Sequence, residues 1–133
     1  MGIEENKALI CRYFDAIRTG EPPLPDLLSD DITWWVPAAS PMGGLYEGKA
    51  AVLGLMQSGA DLYDPSTPMK VELTRLVAEG DDVCAQVTIE ARTARGEQYR
   101  NHYHFAFCVR DGRIAEVREY VDTLYAERKL FAC

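Results

Sequence analysis

The chain is predicted to fold as α+β, with a curved, mainly antiparallel sheet wrapped over N-terminal helices to make a cone-shaped barrel. Three observations predict it. Helical periodicity is confined to two stretches of the first half. The second half holds four long strand-like segments in direct succession, joined by turn residues. Asp111-Gly112 between the last two is the strongest hairpin signal in the chain.

In order along the chain, residues 3–18 read as an amphipathic helix, with Leu9, Ile10, Tyr13, Phe14 and Ile17 recurring at intervals of three and four. Gly20 stands where a left-handed stop belongs. Glu21-Pro-Pro-Leu-Pro is a stiff turn, and Asp26-Leu-Leu-Ser is one helical turn at most. Ile32-Thr-Trp-Trp-Val36, β-branched and aromatic, is a strand closed by Pro37. Residues 38–47 read as a loop, and Gly48 to about Leu62 as a second helix, broken by Asp64, Pro65 and Pro68.

Strands follow over 69–79, 83–93, 99–110 and 113–122, and residues 123–131 are expected to form a short closing helix. In the third of these strands Tyr99, Asn101, Tyr103, Phe105, Phe107 and Val109 share one face. In the last, Val117, Glu119 and Val121 do.

The 133 residues amount to a single domain spanning 1–133, long enough to bury a core without disulfides or metal. Apolar residues make up 47% and charged residues 26%, an ordinary globular composition. Fourteen Lys and Arg against 21 Asp and Glu leave a net charge of −7 with no basic block, which argues against nucleic acid or an anionic membrane as partner. No apolar run is long enough to span a bilayer, and the N-terminus lacks the pattern of a secretory signal, so the cytoplasm is the expected compartment. Cys11, Cys84 and Cys108 are expected to pack as small apolar residues, with Cys133 at a loose end. No dinucleotide, phosphate-loop, nucleophile-elbow or zinc-helix motif is present, so no cofactor is expected and the chemistry left is proton transfer.

Glu119 is the leading candidate for that chemistry. Its strand neighbours point where apolar residues point, and a carboxyl held among aromatic rings gains a raised pKa that suits it to acid or base work near neutrality. The bland alternative is a buried ion pair or an open rim. Tyr13 and Tyr103 are candidate donors to an oxygen that gains charge, or else core aromatics with satisfied hydroxyls. Asn101 shares the Tyr103 face and could orient a ligand. Thr88, Glu90 and Arg92 form the polar face of a strand whose other face is apolar, which by alternation sends them to solvent. His102 and His104 lie opposite the Tyr103 face. Two histidines without a third ligand do not make a metal site, so none is expected.

The segment Tyr99-Arg-Asn-His-Tyr-His-Phe, with Asp111-Gly-Arg-Ile114 and Arg118-Glu-Tyr-Val-Asp122, resembles the SnoaL-like branch of the nuclear transport factor two-like (ketosteroid isomerase-like) superfamily. Arg12-Tyr-Phe14, Asp30-Asp-Ile-Thr-Trp34 and Tyr46-Glu-Gly-Lys49 add weaker matches in the same order. The resemblance implies a cone with a ligand cavity and, on the outer sheet face, a homodimer contact. Compared with ketosteroid isomerases, it places Tyr13 and Tyr103 on the oxyanion-binding roles and Val36 near the base position. Compared with limonene epoxide hydrolases, Glu119 matches the water-activating acid, while Thr33, Trp35, Gln86 and Thr88 fall near the other four roles without their chemistry. SnoaL-like cyclases, with one acid in an aromatic pocket, are the template this chain meets best.

The implied reading is a cofactor-independent isomerase, cyclase or hydrolase. Glu119 would move a proton on a small hydrophobic carbonyl or cyclic molecule, and Tyr13 and Tyr103 would hold the oxygen. Trp35, Met56, Thr88, Glu90, Asn101, Phe105 and Val121 would line the cavity, with Trp34 behind the sheet. The alternative is a non-catalytic ligand-binding or dimerisation module.

Overall fold

Helix α1 (Ile3–Thr19) carries Leu9, Ile10, Tyr13, Phe14 and Ala16 on its buried side, as its periodicity requires. It stops at Gly20, whose positive φ of 80° lets its N–H reach back to the Ala16 carbonyl. The computed structural model describes residues 2–131. After α1 come a 3-10 turn (Leu24–Leu27), strands β1 (Leu28–Val36) and β2 (Gly44–Glu47), helix α2 (Lys49–Ala60), and strands β3 (Lys70–Glu79), β4 (Asp82–Arg92), β5 (Gln98–Arg110) and β6 (Arg113–Val121). A single α-helical turn, α3 (Thr123–Ala126), runs on into a π-helical turn (Glu127–Phe131).

The six strands form one sheet in the order β2-β1-β6-β5-β4-β3. Every pairing is antiparallel except β1 with β6, which is parallel. Asp111 and Gly112, at φ of 52° and 74°, close the β5–β6 hairpin with the positive φ values that a two-residue turn demands. Register shifts in β1, β3 and at Cys108/Val109 act as bulges that bend the long strands into the cone. One apolar cluster packs within it, joining the α1 face to Val83, Ala85 and Val87 of β4, Phe105 and Phe107 of β5, and Val117 of β6. No helix among the described residues is long and apolar enough to cross a membrane.

The first strand begins at Leu28, four residues earlier than expected, because Leu28 pairs with Ile114 before the register shift. The expected loop over 38–47 ends in a strand, since Gly44–Glu47 finds the open edge of β1. Cys11 is exposed: it falls on the turn of α1 opposite the buried stripe. Cys84 and Cys108 are half-buried, and Cys133 lies outside the described residues. Asp122 caps α3, its Oδ1 accepting from the Tyr125 N–H at 3.1 Å.

Ile10 is fully enclosed between α1 and the sheet. Ile10→Ala is expected to cost about 2–5 kcal/mol, the sum of lost transfer energy and the cavity left behind. The check is a fall in the urea midpoint with an unchanged denaturant slope.

Candidate functional site

A cavity of about 650 Å³ opens between the inner sheet face and the two long helices. Leu24, Leu53, Met56, Met69, Val71 and Ile89 make it apolar, and Phe14, Trp34 and Phe105 add aromatic walls. Among the described residues that line it, none is Lys, Arg or His. Its polar side chains include Glu119, Tyr13, Tyr63 and Tyr103.

Strand alternation carries Glu119 to this face. Val117 is buried at the same parity of β6, and Phe105 lies directly across on β5. The Glu119 carboxyl accepts one hydrogen bond, from Trp34 Nε1 to Oε1 at 3.3 Å. Burial outweighs that bond and pushes the carboxyl up from an ordinary 4.5 to about 7, the indole N–H pulling the other way. Near neutrality the group is therefore divided between acid and base.

Tyr13 reaches the cavity from α1 and is packed against Phe14, Phe107 and Trp34 with ring centroids 5.1, 5.6 and 6.3 Å apart. Its phenol is held far above the ordinary value, first by burial and then by the charge on Glu119. Tyr103 sits two residue pairs along the β5–β6 ladder, opposite Val121, with its ring stacked on Phe105 at 5.7 Å and 3°. Its hydroxyl lies 2.6 Å from that of Tyr99. Burial, followed by the neighbouring phenols, pushes Tyr103 well above the ordinary range.

Among the residues picked from sequence, the structure gathers Glu119, Tyr13, Tyr103, Met56, Phe105 and Val121 around the cavity. Asn101 is on the same sheet face but buried behind it, bonded to Tyr99.

Trp35, Thr88 and Glu90 are corrections. Trp35 points outward, where the Arg118 guanidinium stacks over its ring at 4.3 Å and Tyr120 packs beside it. Trp34, expected behind the sheet, is the indole at the cavity. The β1–β6 register explains the exchange: Trp34 pairs with inward Val117, and Trp35 with outward Arg118. A one-residue slip inverts every side chain of a strand. Ile32, Trp34 and Val36 alternate as buried positions, a signal already present in the sequence against Thr33.

Thr88 and Glu90 lie on the outer face, as simple alternation had it. Thr88 Oγ1 is 3.1 Å from His102 Nδ1, and Glu90 pairs with Arg100 at 2.9 Å. His104 belongs to the same outer face, next to Thr88 and Tyr120.

Trp34 and Tyr63 are the two aromatic donors among the cavity residues that sequence reasoning did not place there. Trp34 was missed through the parity error. Tyr63 follows α2 in a stretch without periodicity, and is held there because Asp64 N–H bonds Arg92 O and Ala94 N–H bonds Leu62 O, both at 2.9 Å.

The raised Glu119 pKa has a definite sign for stability. Burial favours the protonated fold, so this group's contribution is full below pH 4.5 and is lost as pH rises through about 7. The full swing amounts to about 3 kcal/mol, taking 1.4 kcal/mol per pH unit. Glu119→Gln is expected to flatten this segment of the stability curve, gaining on the parent chain at pH 8 relative to pH 4.5. Urea midpoints at the two pH values provide the check.

Comparison with known proteins adds the lineage. No curated protein matches the sequence. Among solved structures, an NTF2-like protein from Burkholderia xenovorans is 25% identical, with 98% of each chain covered and a TM-score of 0.79. A candidate SnoaL-like polyketide cyclase from Jannaschia sp. superposes with a TM-score of 0.81 at 15% identity, covering 98% of this chain and 94% of its own. A candidate hydroxylase from Streptomyces galilaeus does so at 0.77 and 20% identity, covering 97% and 86%. The model of the SnoaL-like domain matches residues 10–117, and with most of its length accounted for, the chain belongs to the SnoaL-like family.

Proposed function

We propose that the protein is a cofactor-independent enzyme that moves a proton on a hydrophobic, carbonyl-bearing ring compound, with Glu119 as the acid–base group. One observation carries this reading: a carboxyl poised at about pH 7 faces a mainly apolar cavity of about 650 Å³ and holds a single indole hydrogen bond. A carboxyl kept only for structure would be expected to have a cationic partner or several donors, because burying it otherwise is costly.

In the proposed step the Glu119 carboxylate takes a proton from a carbon next to a substrate carbonyl. The C–H bond breaks, an O–H bond forms on Glu119, and the released electron pair moves onto the carbonyl oxygen as an enolate. Tyr13 or Tyr103 donates a hydrogen bond to that oxygen as its charge grows, which lowers the barrier without protonating it outright. Where the enolate is conjugated with a neighbouring double bond, protonated Glu119 then returns the proton to another carbon of that system, giving isomerisation. Alternatively the enolate carbon attacks a second carbonyl of the same molecule, forming a C–C bond while that carbonyl's π pair moves to its oxygen, and protonated Glu119 gives its proton to the resulting alkoxide, which completes an aldol ring closure and regenerates the carboxylate. The apolar walls exclude water and keep the carboxyl in the range where both directions are accessible. Among proteins of the same fold, one neighbour is named for polyketide cyclisation and another as a hydroxylase, and the cyclase name fits a ring-forming outcome.

The largely apolar lining also favours a second reading, a module that binds a lipophilic ligand without turning it over. A single assay separates the two. 2-Tetralone and related bicyclic ketones are incubated with protein in D2O, and loss of α-hydrogen signal is followed by NMR. The parent chain is expected to accelerate exchange with an apparent pKa near 7, and Glu119→Gln to reduce the rate by at least about 100-fold, as expected for removing a general base. Exchange no faster with the parent than with the variant, while both bind ketone alike, leaves the binding module.

A further inference from the structure

Behind the cavity wall lies a buried polar group that the proton-transfer step leaves unused. Asn101 is 2% exposed, and Tyr99 is fully buried. The orientation of the Asn101 amide is fixed by two backbone partners. Its Oδ1 accepts from the His102 N–H at 2.8 Å, and its Nδ2 donates to the Asp122 carbonyl at 3.2 Å. A backbone N–H can only donate and a carbonyl can only accept, so the amide cannot be reversed. The same Nδ2 donates to the Tyr99 hydroxyl at 2.9 Å.

Tyr99 therefore receives a hydrogen from Asn101 and has its own to pass on. Its hydroxyl is 2.6 Å from that of Tyr103, and the Tyr63 phenol completes the cluster, with its ring 5.6 Å from that of Tyr99. Tyr63 and Tyr103 line the cavity while Tyr99 does not. With one lone pair taken by Asn101, the Tyr99 oxygen can accept from at most one of its two phenol neighbours and gives its own hydrogen to the other, so one of Tyr103 and Tyr63 keeps a hydrogen for the cavity. The phenol that accepts from Tyr99 is polarised by that bond, which makes its own hydroxyl a better donor than an isolated phenol.

We propose that Asn101, Tyr99, Tyr103 and Tyr63 form an oxygen-binding subsite, in which Asn101 and Tyr99 are positioning residues that direct a phenol hydrogen of Tyr103 or Tyr63 into the cavity to hold a neutral carbonyl or phenolic oxygen of an apolar ring. The oxygen is neutral because a carboxylate or phosphate would meet no cation among the described lining residues and would face Glu119. This deepens the proposed function and rests on the cavity being the substrate site, but it does not need Glu119 to be catalytic.

Two ligands of nearly the same frame isolate the hydrogen bond: 2-tetralone, which carries a carbonyl, and tetralin, which does not. Affinities are read by fluorescence quenching of the cavity tryptophan. The parent chain is expected to prefer the ketone by about fivefold, the value of one net hydrogen bond of about 1 kcal/mol. Tyr99→Phe is expected to bring that preference close to unity while tetralin binds as before, a separation that mere loosening of the wall would not produce. Tyr63→Phe, at the edge of the cavity, is the second variant should the first fail to fold, and is expected to lower the preference likewise. A preference unchanged in the folded variants, an equal loss of both ligands, or no ketone preference in the parent chain overturns the proposal. Loss of preference in a protein that catalyses no α-hydrogen exchange keeps the subsite and removes the enzyme.

Discussion

Desolvation of one carboxyl organises the functional half of this molecule. Glu119 lies at an inward position of β6, opposite Phe105, and among the described residues the only hydrogen bond it accepts is from Trp34. Withdrawing a carboxylate from water is costly, and a single indole N–H returns a fraction of what water supplied. The carboxyl answers by holding its proton up to about pH 7. The same withdrawal that would suit it to the proposed proton transfer makes it a stability cost at higher pH.

The tyrosines act under the same constraint. Tyr13, Tyr63 and Tyr103 are all pushed upward, chiefly by burial, so at neutral pH they are hydrogen-bond donors and not bases. The cavity therefore offers one group that exchanges a proton and several that donate hydrogen bonds. Its other described walls are largely apolar. This division follows from chemistry alone: carboxylic acids and phenols start more than five pH units apart, and burial shifts both the same way without closing the gap.

Sheet parity decides which residues share the site. The inner face carries Trp34, Tyr103, Phe105, Val117 and Glu119. The outer face carries Trp35, Thr88, Glu90, Arg100, His102 and Arg118, joined by Trp35–Arg118 stacking, a Glu90–Arg100 ion pair and a Thr88–His102 hydrogen bond. For β4 the plain apolar–polar alternation gave the right orientation, whereas the resemblance sent Thr88 and Glu90 inward. For β1 the adjacent tryptophans blurred the alternation, and the resemblance inverted them. A borrowed alignment that is one residue out does no harm to a helix boundary but reverses a strand, because the side-chain period there is two.

The sequence by itself determined the α1 stripe, the Gly20 stop, the four long strands, the Asp111-Gly112 hairpin and the inward face of β5 and β6, Glu119 included. All of these are local patterns, set by helical or strand period and by turn chemistry within a few residues. Only tertiary structure decided that Gly44–Glu47 would pair with β1, that β1 would run parallel to β6 in the register that makes Trp34 the partner of Glu119, and that Tyr63 would join Tyr99 and Tyr103. Each of those depends on contacts between segments tens of residues apart, and no period within either segment encodes which partner it will meet.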